Sequence, residues 1–330
     1  MAKFYVLHDV DHVCIGKEMA IRQIEDHKPL LFYENELEQF QILLLEGLKK
    51  DTYSAKMDRK IGPVRIEKQN HRWELHGKNG CYRATTSEIK ELLSELIKPG
   101  ITVQRKNKRK ISVVIGAPHA GFDLGTGELA GKVAGKIHTG CVIAHHFRYP
   151  PEHNRPEIMP LYINVNRPTE GQYKDGILKK EWVTSRAGQI YMEYQQALFK
   201  AGSNNKPPLD LLIEFHAHAR DNAIQVATSH IPHRTADLIC SEWERITASQ
   251  AEFPAYPLKV EPLHDVYWKA SMAKKFGAFR KEMTSAGMHL EIPYPLLKKT
   301  GIKQMAGVLI EWLDYVISIF EQSTYHGKRG

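Results

Sequence analysis

The stretch from Leu209 to His218 has the sequence LDLLIEFHAH, an apolar run that ends in two histidines. A short apolar run of this kind is typical of a strand buried on both faces of a sheet. Because successive side chains of a strand point to opposite faces, Glu214, His216 and His218 share one face. One such histidine can bind a metal while a neighbour orients it through the second ring nitrogen. His216 is the better candidate, since His218 also fits a polar strand end exposed to water.

Further apolar runs alternate with stretches of helical periodicity after residue 110. The strand candidates are Ile111–Ile115, Cys141–His145, Leu161–Val165, Leu209–Phe215 and Met288–Ile292. The helix candidates are Glu128–Ile137, Glu181–Phe199, Ala236–Thr247 and Ile302–Phe320. This alternation predicts an α/β fold, with a mixed, mostly parallel sheet covered by helices on both faces. Ligand sites of such sheets gather at the carboxyl ends of strands. Four polar residues fall at or just past such ends: His119, Asn166, His216 and Glu291.

The first hundred residues have a different pattern. We predict a strand at Phe4–Leu7, a hairpin turn at Lys78-Asn79-Gly80, and helices over 35–49 and 85–98. The chain then divides into a small α+β unit (1–104), a basic linker (105–110) and a larger α/β domain (111–330). Nothing in the first unit indicates a function.

The composition is that of an ordinary globular protein, with 42% apolar and 25% charged residues among 330. No apolar stretch approaches the ~18 residues of a membrane span, and the N-terminus lacks the pattern of a secretory signal. Four scattered cysteines without Cys-x-x-Cys spacing argue against a thiolate metal site and a disulfide framework. We therefore expect a cytoplasmic protein without a membrane partner.

The formal net charge of +8 leaves nucleic-acid binding open as a minor alternative. The dense basic run, 105–110, has no interleaved aromatic residues and falls in the predicted linker. A solvated connector is the simpler interpretation, and a basic chain also attracts anionic substrates.

Residues 117–123, with the sequence APHAGFD, follow the first strand candidate. The proline and glycine beside His119 cannot continue a strand, so the imidazole is presented on a tight turn. Asp123, four residues later, is close enough to share a metal with His119. Asp123 also suits the N-terminus of the next helix, and Glu128 can serve either purpose. Two imidazoles and one carboxylate accept zinc or another first-row metal.

Glu291 lies in the strand candidate Met288–Ile292, where a carboxylate needs solvent, a partner or a water at a metal. Zinc hydrolysis requires an unligated carboxylate that takes a proton from water. Arg167, in the segment NRP at 166–168, suits a bidentate clamp on a carboxylate. Arg148 suits the polarisation of a scissile carbonyl.

These segments resemble the N-formylglutamate amidohydrolase family, which shares a core with zinc carboxypeptidases and aspartoacylase. The resemblance covers about residues 110–330 and is carried by PHAG at 118–121, NRP at 166–168, FHAH at 215–218 and LEI at 290–292. The loop DLGTGELA at 123–130 is similar to one in phage poly-γ-glutamate hydrolases, where a metal-binding glutamate precedes Gly-Thr-x-Glu-Leu-Ala. Departures from the family pattern at 164–165, 214–215 and 217 leave the metal residues intact but put the substrate in doubt.

The resemblance implies a carboxypeptidase-like core and a zinc-dependent amidohydrolase that acts on an N-acyl amino acid such as N-formylglutamate. Zinc would activate water, a glutamate would act as general base, and the substrate's free carboxylate would be bound by the clamp. The implied roles are zinc ligands His119, Asp123 and His216, catalytic residues Glu291 and Arg148, and substrate-binding residues Asn166 and Arg167.

Two alternatives share the same metal centre. One is a carboxypeptidase or γ-glutamyl peptide hydrolase acting on a longer substrate, with the proline-rich residues 149–160 at the border of a more open cleft. The other is a non-catalytic module that keeps the fold and the metal.

Overall fold

The computed structural model describes residues 4–7, 13–14, 30–33, 52–56, 63–69, 72–77, 80–85, 99–145, 147–148, 163–174, 177–248, 250, 253 and 256–327. The chain divides into two compact units. The first comprises Met1–Lys98 and His153–Pro160, and the second comprises Pro99–Glu152 and Leu161–Gly330.

The described part of the first unit consists of two antiparallel sheets. The three-stranded sheet, in the order β2-β1-β3, contains β1 (Phe4–Leu7), β2 (Val13–Cys14) and β3 (Leu30–Tyr33). The four-stranded meander contains β4 (Thr52–Lys56), β5 (Pro63–Gln69), β6 (Arg72–Gly77) and β7 (Gly80–Thr85). The strand at Phe4–Leu7 is therefore confirmed, and the helices predicted over 35–49 and 85–98 lie outside the described residues.

The second unit begins with β8 (Gly100–Arg105), β9 (Val113–Ala120) and β10 (Gly140–His145). Next come β11 (Ile163–Asn164), β12 (Thr169–Lys174) and β13 (Ile177–Val183), which form a separate antiparallel sheet. The last strands are β14 (Leu211–His218), β15 (Ile224–Ser229), β16 (Leu258–Val260) and β17 (Gly287–Pro293).

Seven of these strands form one central sheet in the order β16-β15-β17-β14-β9-β10-β8. The pairs β9–β10, β9–β14, β14–β17 and β15–β16 are parallel, whereas β8–β10 and β15–β17 are antiparallel. The prediction of a mixed, mostly parallel sheet is therefore confirmed. Because β9, β14 and β17 are parallel neighbours, the polar residues near their carboxyl ends lie at one edge.

Six helices accompany the described strands of this unit: α1 (Thr126–Ile137), α2 (Ser185–Ala201), α3 (His233–Ala248), α4 (Ser271–Phe276), α5 (Tyr294–Leu297) and α6 (Lys299–Gly327). The alternation of β9 places Val113 and Ile115 in a core cluster with α1, α3 and α6, and Val114 in another with α2. Helices therefore cover both faces of the sheet. Within the described residues, no helix has the length and apolar character needed to cross a membrane.

Three boundaries differ from the predicted ones. The units divide after Lys98 rather than at residue 104, because β8 pairs with β10 as an edge of the central sheet. Within the described part of the predicted strand at Leu161–Val165, Ile163–Asn164 form β11, which ends before Val165 and pairs with β12 outside the central sheet. The predicted helix at Glu181–Phe199 begins only at Ser185, because Thr184 caps it by accepting a hydrogen bond from the amide of Ala187.

The predicted basic linker is attached to the second unit. Arg105 ends β8, and the amide of Asn107 donates to the carbonyl of Ala201 at 2.7 Å. The guanidinium of Arg109 pairs with Asp314 at 2.8 Å. These contacts hold the run against α2 and α6, so it is not a free connector.

Candidate metal centre

A tight turn at the end of β9 places His119 beside Asp123. The amides of Phe122 and Asp123 both donate to the carbonyl of His119, at 2.9 and 2.8 Å. The turn requires a left-handed residue, and Gly121 supplies it at φ 95° without steric cost. Oδ2 of Asp123 thereby lies 3.5 Å from Nδ1 of His119, and both side chains are buried.

Strand β14 brings a second imidazole to the same carboxylate oxygen. Nδ1 of His216 lies 3.3 Å from Oδ2 of Asp123, and the rings of His119 and His216 are 4.9 Å apart. One potential ligand atom from each of the three residues lies within 4.8 Å of the others. A cation between them would meet two nitrogens and one carboxylate oxygen, the donor set of many catalytic zinc sites. Among the described residues, Nε2 of His119 has no hydrogen-bond partner, whereas Nδ1 lies near Asp123 and Arg148.

The three candidate ligands differ in their protonation states. Burial raises the pKa of Asp123, but hydrogen bonds with His119 and His216 outweigh it and hold that pKa below its usual range. Burial keeps the pKa of His119 well below normal, so its imidazole is neutral at pH 7. Burial also lowers the pKa of His216, but its hydrogen bonds to Asp123 and Glu214 prevail and raise it to about 9.

Glu214 orients His216 from the opposite side of the ring. Oε2 of Glu214 lies 3.4 Å from Nε2 of His216 and accepts a hydrogen bond from Nδ2 of Asn166 at 2.9 Å. Its Oε1 accepts from the hydroxyl of Tyr194 at 3.2 Å. Gly116 makes room for this hydroxyl, because a Cβ there would lie 2.5 Å from it.

A second possible ligand group, Glu214, His216 and His289, shares one histidine with the first. Both carboxylate oxygens of Glu214 already accept hydrogen bonds, from Asn166 and Tyr194. The carboxylate is therefore suited to holding the imidazole of His216 rather than to binding a cation itself.

The parallel register of β14 and β17 places Glu291 directly opposite His216. Burial raises the pKa of Glu291 to about 7, a value that suits a group exchanging protons near neutrality. Its Oε1 lies 2.9 Å from Nε2 of His289, which is buried. Burial holds the pKa of His289 well below normal, so this ring is neutral and can donate Nε2–H to Glu291 when that carboxylate is ionised.

Arg148 lies beside the same ring nitrogen of His119 that faces Asp123. Its Nη1 is 3.4 Å from Nδ1 of His119 and donates to Oδ1 of Asn164 at the same distance. The guanidinium also stacks on the ring of Phe122, 4.1 Å from its centroid. A cationic group thus lies directly beside the candidate ligands.

Asn166 and Arg167 do not form a joint clamp. Asn166 donates to Glu214, the residue that faces His216, whereas Arg167 pairs with Glu181 on β13. Glu128 pairs with Lys132 on α1 and contacts neither candidate histidine in any described hydrogen bond or ion pair. Nε2 of His218 bonds the carbonyl of Ala223 at 3.0 Å, a structural role.

The structure adds residues to which the sequence analysis gave no role. His289 had a detectable signal, because it shares a strand face with Glu291 at a spacing of two. Tyr194 and Glu181 had none, since their partners lie 20 and 14 residues away, in other elements.

Comparison with known proteins gives structural likenesses alone. Neither a family model nor a curated protein matches this chain. Solved structures do match. A bacteriophage poly-γ-glutamate hydrolase is 18% identical, with a TM-score of 0.36, and the alignment covers 70% of this chain and 91% of that one.

Two bacterial enzymes are similar over more of the chain. A metallo-carboxypeptidase from Burkholderia cenocepacia is 10% identical, covering 83% of this chain and 82% of that one with a TM-score of 0.36. Succinylglutamate desuccinylase from Vibrio parahaemolyticus is 14% identical, covering 84% and 81% with a TM-score of 0.34. At identities and TM-scores this low, the likenesses carry no conclusion about activity.

Proposed function

We propose that the second unit is a metal-dependent hydrolase that cleaves an amide bond. The observation that carries the proposal is that one buried oxygen of Asp123 faces Nδ1 of both His119 and His216, at 3.5 and 3.3 Å. Glu291, a buried carboxylate with a near-neutral pKa, is the register partner of His216. Three ligands with one separate carboxylate are the minimum set for hydrolysis assisted by a metal.

The metal would be held by His119, Asp123 and His216, and zinc is the ion that this donor set favours. A bound zinc ion lowers the pKa of water and polarises a carbonyl. Glu214 would keep the ring of His216 in the orientation that presents Nδ1 to the ion, because it engages Nε2 at 3.4 Å.

Glu291 would take a proton from the attacking water and then pass it to the leaving nitrogen. A carboxyl with a pKa of about 7 can do both, since neither its acid nor its base form is strongly favoured at neutrality. Arg148 would donate to the substrate oxygen that gains negative charge, because its guanidinium lies 3.4 Å from His119.

The substrate proposal has two forms. The sequence resemblance suggests an N-acyl amino acid such as N-formylglutamate, with Asn166 and Arg167 on its free carboxylate. Longer peptides or γ-linked glutamyl chains are the second form. The pairing of Arg167 with Glu181 favours longer α-linked peptides within the second form, because a free carboxylate would have to compete with an internal one. A γ-linked glutamyl chain keeps a free α-carboxylate beside each amide bond and is therefore not favoured by this pairing.

Metal analysis tests the proposal. Purified protein should contain about one zinc per chain, and His119→Ala or His216→Ala should lose it. His233→Ala is the matched control, because its ring is exposed at the start of α3 and should leave the metal in place. Glu291→Gln should keep the metal but lose hydrolysis of every amide that the wild type cleaves.

The alternatives give different results. Stable zinc without hydrolysis across N-acyl amino acids, peptides and γ-glutamyl chains would favour the non-catalytic module. No zinc in the wild type, even when zinc is offered, would reject the hydrolase altogether.

A further inference from the structure

Glu181 occupies a site built for a carboxylate. Nε of Arg167 donates to its Oε1 at 2.6 Å, and Nη2 donates to its Oε2 at 3.2 Å, a two-pronged contact. Nδ2 of Asn164 donates to Oε1 at 2.9 Å, and the hydroxyl of Thr169 donates to the same oxygen. We call Arg167, Asn164 and Thr169 the carboxylate pocket. Paired guanidinium donors of this kind recognise carboxylates through both charge and geometry.

The carboxylate pocket is connected to the candidate metal centre by consecutive contacts. Nη1 of Arg148 lies 3.4 Å from Nδ1 of His119 and 3.4 Å from Oδ1 of Asn164. The amide of Asn164 in turn reaches Glu181. Two side chains, those of Asn164 and Arg148, thus link the carboxylate of Glu181 to the proposed metal ligand His119.

The small antiparallel sheet fixes this carboxylate in the pocket. Glu181 pairs with Gly171 between β13 and β12, and Asn164 pairs with Thr169 between β11 and β12. Arg167 lies in the connection between these last two residues. Donors and acceptor are thus set by backbone pairing within this sheet.

The charges of Glu181 and Arg167 also favour the placement of this carboxylate in the pocket. Burial raises the pKa of Glu181, but its hydrogen bond with Arg167 and the charge of that guanidinium outweigh the effect and hold the pKa below normal. The carboxylate is therefore ionised at neutral pH and already neutralises Arg167. A dissolved carboxylate must compete for Arg167 with the carboxylate of Glu181, which is tethered to the same chain. A short tether gives an effective concentration on the order of mM.

We propose that Glu181 is the internal occupant of the carboxylate pocket and selects amides that have no free carboxylate beyond the scissile bond. This inference rests on the proposed function and narrows its substrate class to internal amides of a longer chain or amides with a neutral end. A free carboxylate placed there would meet a neutralised Arg167 and the negative charge of Glu181.

Matched substrates test the inference. A library of acyl dipeptides with uncharged side chains is prepared with each member as a free acid and as its C-terminal amide. The zinc-loaded wild type should cleave the amidated member with a kcat/KM about tenfold or more above that of the free acid. Glu181→Ala should raise the ratio of the free-acid value to the amidated value about tenfold.

Glu170→Ala is the matched control. Glu170 also lies on the small sheet and pairs with an arginine, Arg186, at 2.7 Å, but the guanidinium of Arg186 is 53% exposed. The control should not alter the preference between free and amidated substrates. If Glu181→Ala fails to fold, Glu181→Gln keeps an acceptor and a donor in the pocket and should shift the preference in the same direction.

The effect of acetate on the Tm provides a test of the inference that does not depend on hydrolysis. Acetate has the size of the removed group, so it should raise the Tm of Glu181→Ala but not that of the wild type or of Glu170→Ala. The inference is overturned if acetate gives no difference between wild type and Glu181→Ala. It is also overturned if the wild type prefers free acids, or if a folded Glu181 variant keeps the wild-type preference.

Failure of the proposed function gives a different pattern. In that case the zinc-loaded wild type cleaves neither series, and acetate still stabilises Glu181→Ala selectively. The carboxylate pocket would then stand as an internally occupied site without the hydrolytic role.

Discussion

The imidazoles of His216 and His289 stack, with their ring centroids 3.8 Å apart and their planes inclined by 30°. The two rings serve different groups, since Nδ1 of His216 faces Asp123 and Nε2 of His289 bonds Glu291. The stack therefore ties the position of a proposed metal ligand to that of the proposed base. Such coupling keeps reacting groups within the small tolerance that catalysis requires.

The substitution His289→Phe tests the hydrogen bond to Glu291 separately from the stacking contact with His216. Phenylalanine keeps an aromatic ring against His216 but cannot donate to Glu291. Loss of a hydrogen bond to a charged group costs roughly 1.5–3 kcal/mol, so kcat should fall roughly ten- to hundredfold while the zinc content stays unchanged. His233→Phe, at an exposed position on α3, is the control. Unchanged kcat in His289→Phe would show that Glu291 needs no such support.

The pH dependence of hydrolysis should follow Glu291. Only the ionised carboxylate accepts a proton, and burial raises its pKa to about 7 in the metal-free protein. The positive charge of a nearby metal lowers this value, so kcat/KM should decline as the pH falls from about 7 downward. Measured profiles of wild type and Glu291→Gln check this, since the variant's residual rate should lack that acid limb.

Metal binding should release a proton from His216. Its pKa of about 9 means that the metal-free ring is protonated at neutral pH, whereas a metal ligand must be neutral. His119 is already neutral and Asp123 already ionised, so neither contributes a proton from its own ring or carboxyl. Zinc affinity should therefore fall as the pH is lowered below about 9, by up to tenfold per pH unit.

Calorimetry in buffers with different ionisation enthalpies counts these protons. At about pH 7.5, zinc binding should release at least about one proton per site. Release of none would mean that the metal-free His216 is neutral, against the effect of its two carboxylate neighbours.

The polar residues of the candidate site could be read from the sequence because they end strands that local pattern identifies. His216 and Glu291 each follow an apolar run, and parallel strands bring such ends to one edge. Their direct pairing could not be predicted, because the register of strands distant in sequence depends on packing across the whole sheet.

The pairing of Arg167 with Glu181 could not be predicted from the sequence for a different reason. The predicted helix begins at Glu181 and therefore includes the last residues of β13. The sequence of this strand, ILKKEWV, suits a strand through its apolar and aromatic ends. Glu181 instead lies on β13, where its carboxylate pairs with Arg167.

Glu214 and Tyr194 should control metal affinity without contacting the metal. Tyr194→Phe removes the donor to Oε1 of Glu214, and Glu214→Gln removes the charge that faces Nε2 of His216. Loss of such partners typically weakens metal binding about 10- to 100-fold. Chelator competition measures the affinity. Tyr191→Phe, on the same helix but without a described hydrogen bond to Glu214, should stay within about threefold of wild type.

Gly116 gives the sharpest test of this arrangement. A Cβ at this position would lie 2.5 Å from the hydroxyl of Tyr194, whose side chain is fully buried. Gly116→Ala should therefore lower the free energy of unfolding by about 1–3 kcal/mol and weaken zinc binding. Gly131→Ala is the control, because no atom lies within 4 Å of its added Cβ and alanine favours the helix.

The double variant Gly116→Ala with Tyr194→Phe distinguishes this contact from a general effect of alanine in β9. Without the hydroxyl, the nearest atoms to the Cβ are Cγ of Glu214 at 3.5 Å and Cζ of residue 194 at 3.7 Å, which are ordinary contacts. The destabilisation by Gly116→Ala should therefore largely disappear in the Tyr194→Phe background, a coupling of about 1 kcal/mol or more. Urea unfolding of the four proteins measures it. Strictly additive effects would mean that Gly116 serves the strand alone and not the hydrogen bond that holds Glu214 behind His216.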